Sequence, residues 1–296
     1  MDKNNSIDCY LCGNKNFHLA FIKLGYRILY CPNCHLYWLD FQENYQNFIQ
    51  NYYQKGYFQG DIKYRAYANY KEDKKTIKRN MDNYLRKIRK LKSSGRILDV
   101  GCATGYFLEI AQKEKFNPYG IDVSQYAIDI AKKKFAEKVQ YSSITDSKLN
   151  NKDFDIITMF DILEHLKEPI GDLKILHKSL KDDGLLVIQT GDANSTWAKI
   201  MKYNWHFYAP PQHLYFYSAD NIKTLLNKAG FKIIKIEKTG KWVTLRYLFH
   251  MMSYMRRGGV GDSLYNLVSN NILGEIPIYL RFNDNMICYA VKNTNV

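Results

Sequence analysis

Arg96-Ile-Leu-Asp-Val-Gly-Cys-Ala-Thr-Gly105, continuing as Tyr106-Phe-Leu-Glu-Ile-Ala111, is the stretch on which the fold turns. A short apolar run (Ile97, Leu98, Val100) stops at a glycine, and Tyr106, Phe107, Ile110 and Ala111 then recur at helical spacing. The pattern reads as a buried parallel strand, a tight turn and a helix. Glycine lets the backbone approach a ligand closely, and the first turn of a helix offers N–H groups without intrahelical partners. The turn suits a nucleotide-like ligand.

C-terminal to this stretch, apolar runs alternate with helical patterns. Further strands are expected at Asn117–Asp122, Val139–Tyr141, Phe154–Met159, Gly184–Thr190, Phe231–Glu237 and Met286–Val291. Ser124 is placed to cap a helix over Gln125–Phe135, and Ser218 one that ends at Gly230; Pro169–Leu180 is also helical. The alternation predicts an α/β fold: a Rossmann-like, seven-stranded, mostly parallel sheet with helices on both faces. Residues 95–296 make up this domain, with an insertion at about 241–280.

On the N-terminal side, Tyr70, Ile77, Met81, Tyr84, Leu85, Ile88 and Leu91 predict an amphipathic helix whose other face is basic. Before it lies a tyrosine-rich stretch (Tyr52, Tyr53, Tyr57, Tyr64, Tyr67) that reads as a linker packed on the main domain or as a substrate wall; together they form a second segment, 41–94. Residues 1–40 carry four of the six cysteines, as Cys9-Tyr-Leu-Cys12 and Cys31-Pro-Asn-Cys34, with 18 residues between the pairs. Two such knuckles supply four thiolates and close a tetrahedron, so the spacing predicts a structural zinc ribbon held by Cys9, Cys12, Cys31 and Cys34.

Composition is that of a globular protein, 46% hydrophobic and 24% charged. The polar start Met1–Ser6 and the lack of a long apolar run predict a cytoplasmic, reduced protein without a transmembrane segment. Net charge is +14, and between Asp61 and Arg96 there are 13 Lys/Arg against 4 Asp/Glu. That surplus fits either an anionic partner or a solvated helix face.

Two carboxylates frame the glycine turn. Asp99 lies two residues before Gly101, and Asp122 ends the next strand 21 residues after it. An acid at the second position is where a doubly wound fold reaches a ribose diol. A carboxylate at the first suits an amino-acid ammonium better than a pyrophosphate, which points to S-adenosylmethionine.

Ile97-Leu-Asp-Val-Gly-Cys-Ala-Thr-Gly105, Gly120-Ile-Asp122, Phe154-Asp-Ile-Ile-Thr-Met-Phe-Asp-Ile-Leu-Glu-His-Leu166, Gly184–Ile188 and Ala229-Gly-Phe231 resemble the motifs of class I S-adenosylmethionine-dependent methyltransferases. The cysteine knuckles, and Trp205 with the loop Pro210–Ser218, resemble a bacterial subgroup carrying a zinc module. The resemblance implies cofactor contacts from Asp99, Gly101, Ala103, Gly105, Asp122, Val123, Ser143, Ile144 and Phe160. The chain departs from the pattern in two places. Ala103 replaces a frequent glycine, which matters if its φ is positive, and Ser143 stands where an adenine-binding acid is common, with Asp146 or local backbone as a substitute.

Methyl transfer from a sulfonium needs alignment in a dry pocket, and an alcohol acceptor also needs a base or a metal. Asp161, Glu164 and His165 would share one face of a helical turn, and His213 belongs to a loop on the same sheet edge. His165 and His213 are the candidate catalytic residues; Asp161, Glu164, His165 and His213 are the candidate ligands of a second divalent metal. The pattern resembles metal-assisted O-methyltransferases of small-RNA ends and quinone precursors. Trp205, His206, Tyr208, Tyr215 and Tyr217 are expected to line an acceptor pocket. The stretch Trp242–Arg257, with Arg246, Arg256 and Arg257, offers a pocket cap, a homodimer face or a membrane-surface contact.

The expectation is a methyltransferase acting on a hydroxyl of a sugar, nucleotide-sugar or other small metabolite, as in surface-polysaccharide biosynthesis. The alternatives are an RNA or protein methyltransferase that grips its substrate with the ribbon and basic segment, and a non-catalytic cofactor-binding scaffold.

Overall fold

The structure is a computed structural model and describes residues 8–59, 70–147, 149, 154–255, 260–269 and 271–293. Tyr64 and Tyr67 of the tyrosine-rich stretch, and Arg256 and Arg257, lie outside the described residues.

Three short strands open the chain: β1 (His18–Lys23), β2 (Tyr26–Tyr30) and β3 (Tyr37–Leu39) pair antiparallel in sequence order. Each cysteine pair folds into the same turn. The Gly13 N–H donates to the Cys9 carbonyl at 2.7 Å and the His35 N–H to the Cys31 carbonyl at 2.9 Å, with φ +71° and +59° at these residues. Two short helices follow, α1 (Tyr45–Tyr52), capped by the Asn44 side chain, and α2 (Lys55–Phe58).

The basic amphipathic helix is α3 (Lys74–Arg89), and its buried face is more polar than its pattern predicts. Tyr84, Leu85 and Ile88 are buried as expected, but Leu91 lies beyond the helix end and is 48% exposed. Nearer the start, Asn80 is buried because its amide bonds both the N–H and the carbonyl of Trp242, each at 2.8 Å, as a paired strand would. Five of its seven cations pair with carboxylates: Lys75 with Glu275, Lys78 with Glu109, Arg86 with Asp82, Lys87 with Glu237 and Arg89 with Glu114, while Lys74 and Arg79 lie over the rings of Tyr106 and Trp242.

The elements that follow are β4 (Arg96–Val100), α4 (Tyr106–Lys113), β5 (Asn117–Asp122), α5 (Gln125–Phe135, capped by Ser124), β6 (Val139–Tyr141), β7 (Phe154–Phe160), α6 (Pro169–Ser179) and β8 (Leu180–Gly191). Then come α7 (Thr196–Met201), β9 (Tyr215–Phe216), α8 (Ala219–Lys228), β10 (Phe231–Thr244), α9 (Leu245–Met255), α10 (Val260–Val268) and β11 (Pro277–Lys292). The main sheet has seven strands in the order β10-β11-β8-β7-β4-β5-β6; β4 to β8 run parallel and β11 runs antiparallel to both neighbours. This is the expected Rossmann-like sheet. Its central strands are buried, as Ile97, Leu98, Ile156 and Ile157 show, because helices cover both faces.

The insertion is smaller than its expected bounds. β10 and β11 stay paired from Phe231↔Lys292 to Thr244↔Pro277, so a long two-stranded arm replaces both ends of the 241–280 segment. β11 pairs β8 only over Met286–Ala290 and Asn285, so the outer part of the arm leaves the sheet and loses the period-two pattern by which a strand is read. No helix among the described residues is long and apolar enough to cross a membrane.

Candidate functional site

The order of the strands places the site. At the carboxyl ends of the neighbouring strands β4 and β7 the chain turns away to opposite sides, β4 toward β5 and β7 toward β8, the usual ligand crevice of such a sheet. The Gly101 and Cys102 N–H groups both donate to the Ile121 carbonyl (2.8 and 3.1 Å), which ties the glycine turn to β5. Gly101 has φ +75°, and a Cβ there would lie 2.0 Å from Ile162 Cδ1, so a larger residue would be strained and would have to displace the Ile162 side chain. Gly105, φ +84°, starts α4 against Phe135. Ala103 has φ +46°, the strained case anticipated for a replaced glycine.

Asp122 accepts the Ala103 N–H at Oδ2 and the Ser124 N–H at Oδ1, each at 2.8 Å. Burial raises its carboxyl to about 6 against those hydrogen bonds. Asp99 is 3% exposed and accepts the Thr158 hydroxyl at 2.7 Å; burial raises it to about 7.

A cavity of about 420 Å³ runs from Gly101, Ala103 and Asp122 to His165 and His213. Val123, Ser143, Ile144 and Phe160 line it, whereas Asp99 and Gly105 stand behind its wall. Asp146 does not face the cavity: it is exposed and accepts the Ser143 hydroxyl at 2.6 Å.

At the far end two histidines meet edge to face, with ring centroids 4.7 Å apart. His165 Nδ1 donates to the Gln212 carbonyl and His213 Nδ1 to the Phe207 carbonyl, both at 2.7 Å, so each Nε2 keeps its lone pair. Burial lowers the pKa of His165; burial and then the adjacent His165 ring hold His213 well below the usual value. Glu164 is fully buried, pushed to about 8 by burial and then by Asp161; one oxygen accepts the Thr190 hydroxyl at 2.8 Å and the other has no partner.

Ligand atoms of Glu164, His165 and His213 all lie within 4.8 Å of one another. Two imidazole nitrogens and a carboxylate oxygen, one of them orphaned, fit a divalent cation. Asp161 is not part of this group. Asp161 has φ +53° and Leu163–His165 is a 3-10 turn, so the shared helical face does not form, and Asp161 instead pairs with Lys241 at 2.7 Å.

Of the five expected acceptor-wall rings only His206 and Tyr208 line the cavity. Trp205 is wholly buried and donates to Asp284 Oδ2 at 2.8 Å, while Tyr215 belongs to β9 and donates its hydroxyl to the Lys167 carbonyl. Tyr217 is also buried away from the cavity. The strand β9 is the reason: it pairs with β3 and completes the cysteine-bearing sheet, which turns these rings into packing residues.

Further wall residues come from the tyrosine-rich stretch and the insertion, both read as candidate pocket walls, and from the β1–β2 turn, which carried no signal in the sequence. Tyr53 of the tyrosine-rich stretch puts its hydroxyl 3.0 Å from His165 Nδ1, and Lys23 and Leu24 at the β1–β2 turn reach the cavity rim. Tyr247 and Met251 of α9 line the opposite side, so this inserted helix borders the pocket.

The second site is the cysteine cluster. The four Sγ atoms lie within 4.8 Å of one another, with Cys9–Cys34 and Cys12–Cys31 each at 3.5 Å. All four are free thiols, and the nearby Cys34 sulfur pulls the Cys9 thiol down to about 5. The donor set and spacing fit a tetrahedral zinc.

The methyltransferase-domain family matches residues 70–236. The ubiquinone biosynthesis O-methyltransferase of Actinobacillus pleuropneumoniae is 30% identical over 105 residues, 32% of this chain and 45% of that protein. Its mitochondrial counterpart from Schizosaccharomyces pombe is 31% identical over 106 residues, 33% of this chain and 38% of that one. The chain therefore spans less than half the length of these curated relatives. Among solved structures, a SAM-dependent methyltransferase from Archaeoglobus fulgidus aligns with TM-score 0.53 and 23% identity, covering 80% of this chain and 99% of that one. Magnesium protoporphyrin IX methyltransferase from Synechocystis PCC 6803, with bound SAH, aligns with TM-score 0.54 and 15% identity, covering 83% and 99%. At these identities the two structures establish the fold. By its family match over more than half its length, the chain belongs to the methyltransferase-domain family.

Proposed function

We propose that this chain is an S-adenosylmethionine-dependent methyltransferase that methylates a hydroxyl of a small-molecule acceptor. The observation that carries the reading is the single cavity joining the Gly101–Asp122 end to the His165–His213 end. The donor occupies the first end. Asp122, its backbone bonds already made, has lone pairs left for the ribose hydroxyls, and Ser143 and Ile144 flank the adenine. The acceptor hydroxyl lies against the histidines. His165 and His213, fixed by carbonyls at Nδ1, present Nε2 as the acceptor for its proton.

In the alternative in which those Nε2 lone pairs and Glu164 hold a divalent cation, the cation would lower the pKa of the acceptor hydroxyl in place of base catalysis by the histidines. Tyr53, Tyr57 and Tyr247 close the space around the transfer and keep water out. A sugar hydroxyl is the acceptor favoured by the likeness to the zinc-module subgroup, and the O-methyltransferase relatives support an oxygen acceptor. The four cysteines hold structural zinc, which leaves no open position for chemistry. Five of the seven α3 cations already have carboxylate partners, which weighs against an RNA acceptor gripped by this helix.

Calorimetry with S-adenosylmethionine, then a turnover assay over a nucleotide-sugar panel with product mass and methyl position, tests the reading. Binding without methylation of any hydroxyl acceptor in the panel would overturn the reading in favour of an RNA or protein substrate or the scaffold alternative.

A further inference from the structure

Lys241 belongs to the β10 arm, and its Nζ lies 2.7 Å from Asp161 Oδ2 at the acceptor end of the cavity. Asp161 comes three residues before Glu164, close enough in sequence to be drawn to the same cation. Its backbone is pinned in a left-handed conformation, with its N–H donating to the Gln189 carbonyl of β8 at 3.0 Å. The side chain is turned to the lysine, and its other oxygen is buried without a partner. A whole carboxylate thus stands beside the Glu164–His165–His213 group without joining it.

We propose, resting on the reading of that group as a cation site, that Lys241 is a positioning residue: by holding Asp161 it fixes the protein ligands at three and keeps the other coordination positions for the acceptor. The count matters chemically. One carboxylate leaves a divalent cation with a net positive charge, which polarises a bound hydroxyl; a second would cancel that charge and occupy a position the acceptor needs. Lys241 comes from the same arm whose α9 borders the pocket, so the ligand set is tied to the seating of that helix.

Binding of Mn²⁺ to the full chain, followed by electron paramagnetic resonance, tests the assignment with four proteins: wild type, Asp161→Asn, Lys241→Met and the double variant. Asp161→Asn is expected to bind Mn²⁺ within about twofold of wild type, and Lys241→Met about tenfold more tightly, as an added carboxylate ligand would give. The gain should vanish in the double variant, since without Asp161 there is nothing for the lysine to release; a purely electrostatic effect of removing a cation would persist there. Lys241→Gln replaces Lys241→Met if the latter fails to fold. Weakening by Asp161→Asn as severe as by Glu164→Gln, no gain in Lys241→Met, or a gain that survives in the double variant overturns the proposal alone. Mn²⁺ binding that is absent, or indifferent to both His165→Ala and His213→Ala, removes the cation site itself and this assignment with it.

Discussion

Ala103 donates its backbone N–H to Asp122 Oδ2 at 2.8 Å while holding φ at +46°. A left-handed conformation costs a residue with a Cβ roughly 1–2 kcal/mol, so the turn is strained where it grips the carboxylate. Ala103→Gly should therefore stabilise the protein by roughly 0.5–1 kcal/mol, the part of the strain left after glycine's greater unfolded-state entropy. Urea unfolding would show it as a raised midpoint at constant slope.

Asp122 is the hub of the donor end, since its two oxygens order the backbone of both neighbouring turns. Losing charge-assisted hydrogen bonds to a ligand costs about 1.5–3 kcal/mol, or roughly ten- to a hundredfold in affinity. Asp122→Ala should weaken S-adenosylmethionine by that factor in calorimetry. Unchanged affinity would place the donor elsewhere.

Gly101 couples the two ends of the cavity, because the space a Cβ would need is filled by Ile162, which precedes Glu164 and His165 by two and three residues. Gly101→Ala should lower Tm and turnover together. Adding Ile162→Ala should recover part of the lost stability, which a clash with any other neighbour would not allow.

The sheet was legible because its strands are buried on both faces and read as apolar runs closed by caps; the structure reproduces Gln125–Phe135 behind Ser124 residue for residue. The donor end was legible for the same reason, since glycines and acids near a turn are local features. What escaped the reading is held by contacts distant in sequence. Lys241 meets Asp161 across 80 positions, and β9 joins β3 although its two residues, Tyr215 and Phe216, carry no strand signal of their own. Leu91 was placed on the buried face because periodicity cannot show that the helix stops at Arg89.

Asp99 sets a pH dependence of stability. Burial, helped by Asp122 and opposed by the Thr158 hydrogen bond, raises its carboxyl from 3.8 to about 7. A raised acid is protonated in the folded state while the unfolded chain has already ionised, so its contribution is fully present below pH 4 and lost as pH rises through 7. At 1.36 kcal/mol per unit the loss is about 4 kcal/mol. Asp99→Asn keeps an acceptor for Thr158 and carries no charge to desolvate. Urea unfolding should find it level with wild type near pH 4 and clearly more stable at pH 8; equal stability at both would show that Asp99 is not the group responsible.

Metal removal should reach beyond the ribbon that holds it. The cysteine sheet is completed by β9, the Leu39 N–H donates to the Leu214 carbonyl at 2.8 Å, and Asn221 of α8 donates to the Cys34 carbonyl at 2.7 Å. At the other end of the sheet, Lys23 Nζ donates to the Trp205 carbonyl at 3.1 Å beside the acceptor rim. None of these contacts touches Gly101, Ala103 or Asp122. Cys31→Ser with Cys34→Ser should therefore lose about one zinc per chain and speed hydrogen exchange at residues 9–39 and at Tyr215–Phe216. S-adenosylmethionine affinity should stay within about threefold, because the bonds that order the donor end (about 1 kcal/mol each) remain. Loss of donor binding in step with the zinc would show that the two ends do not stand independently; exchange confined to residues 9–39 would show that β9 holds its place without the ribbon.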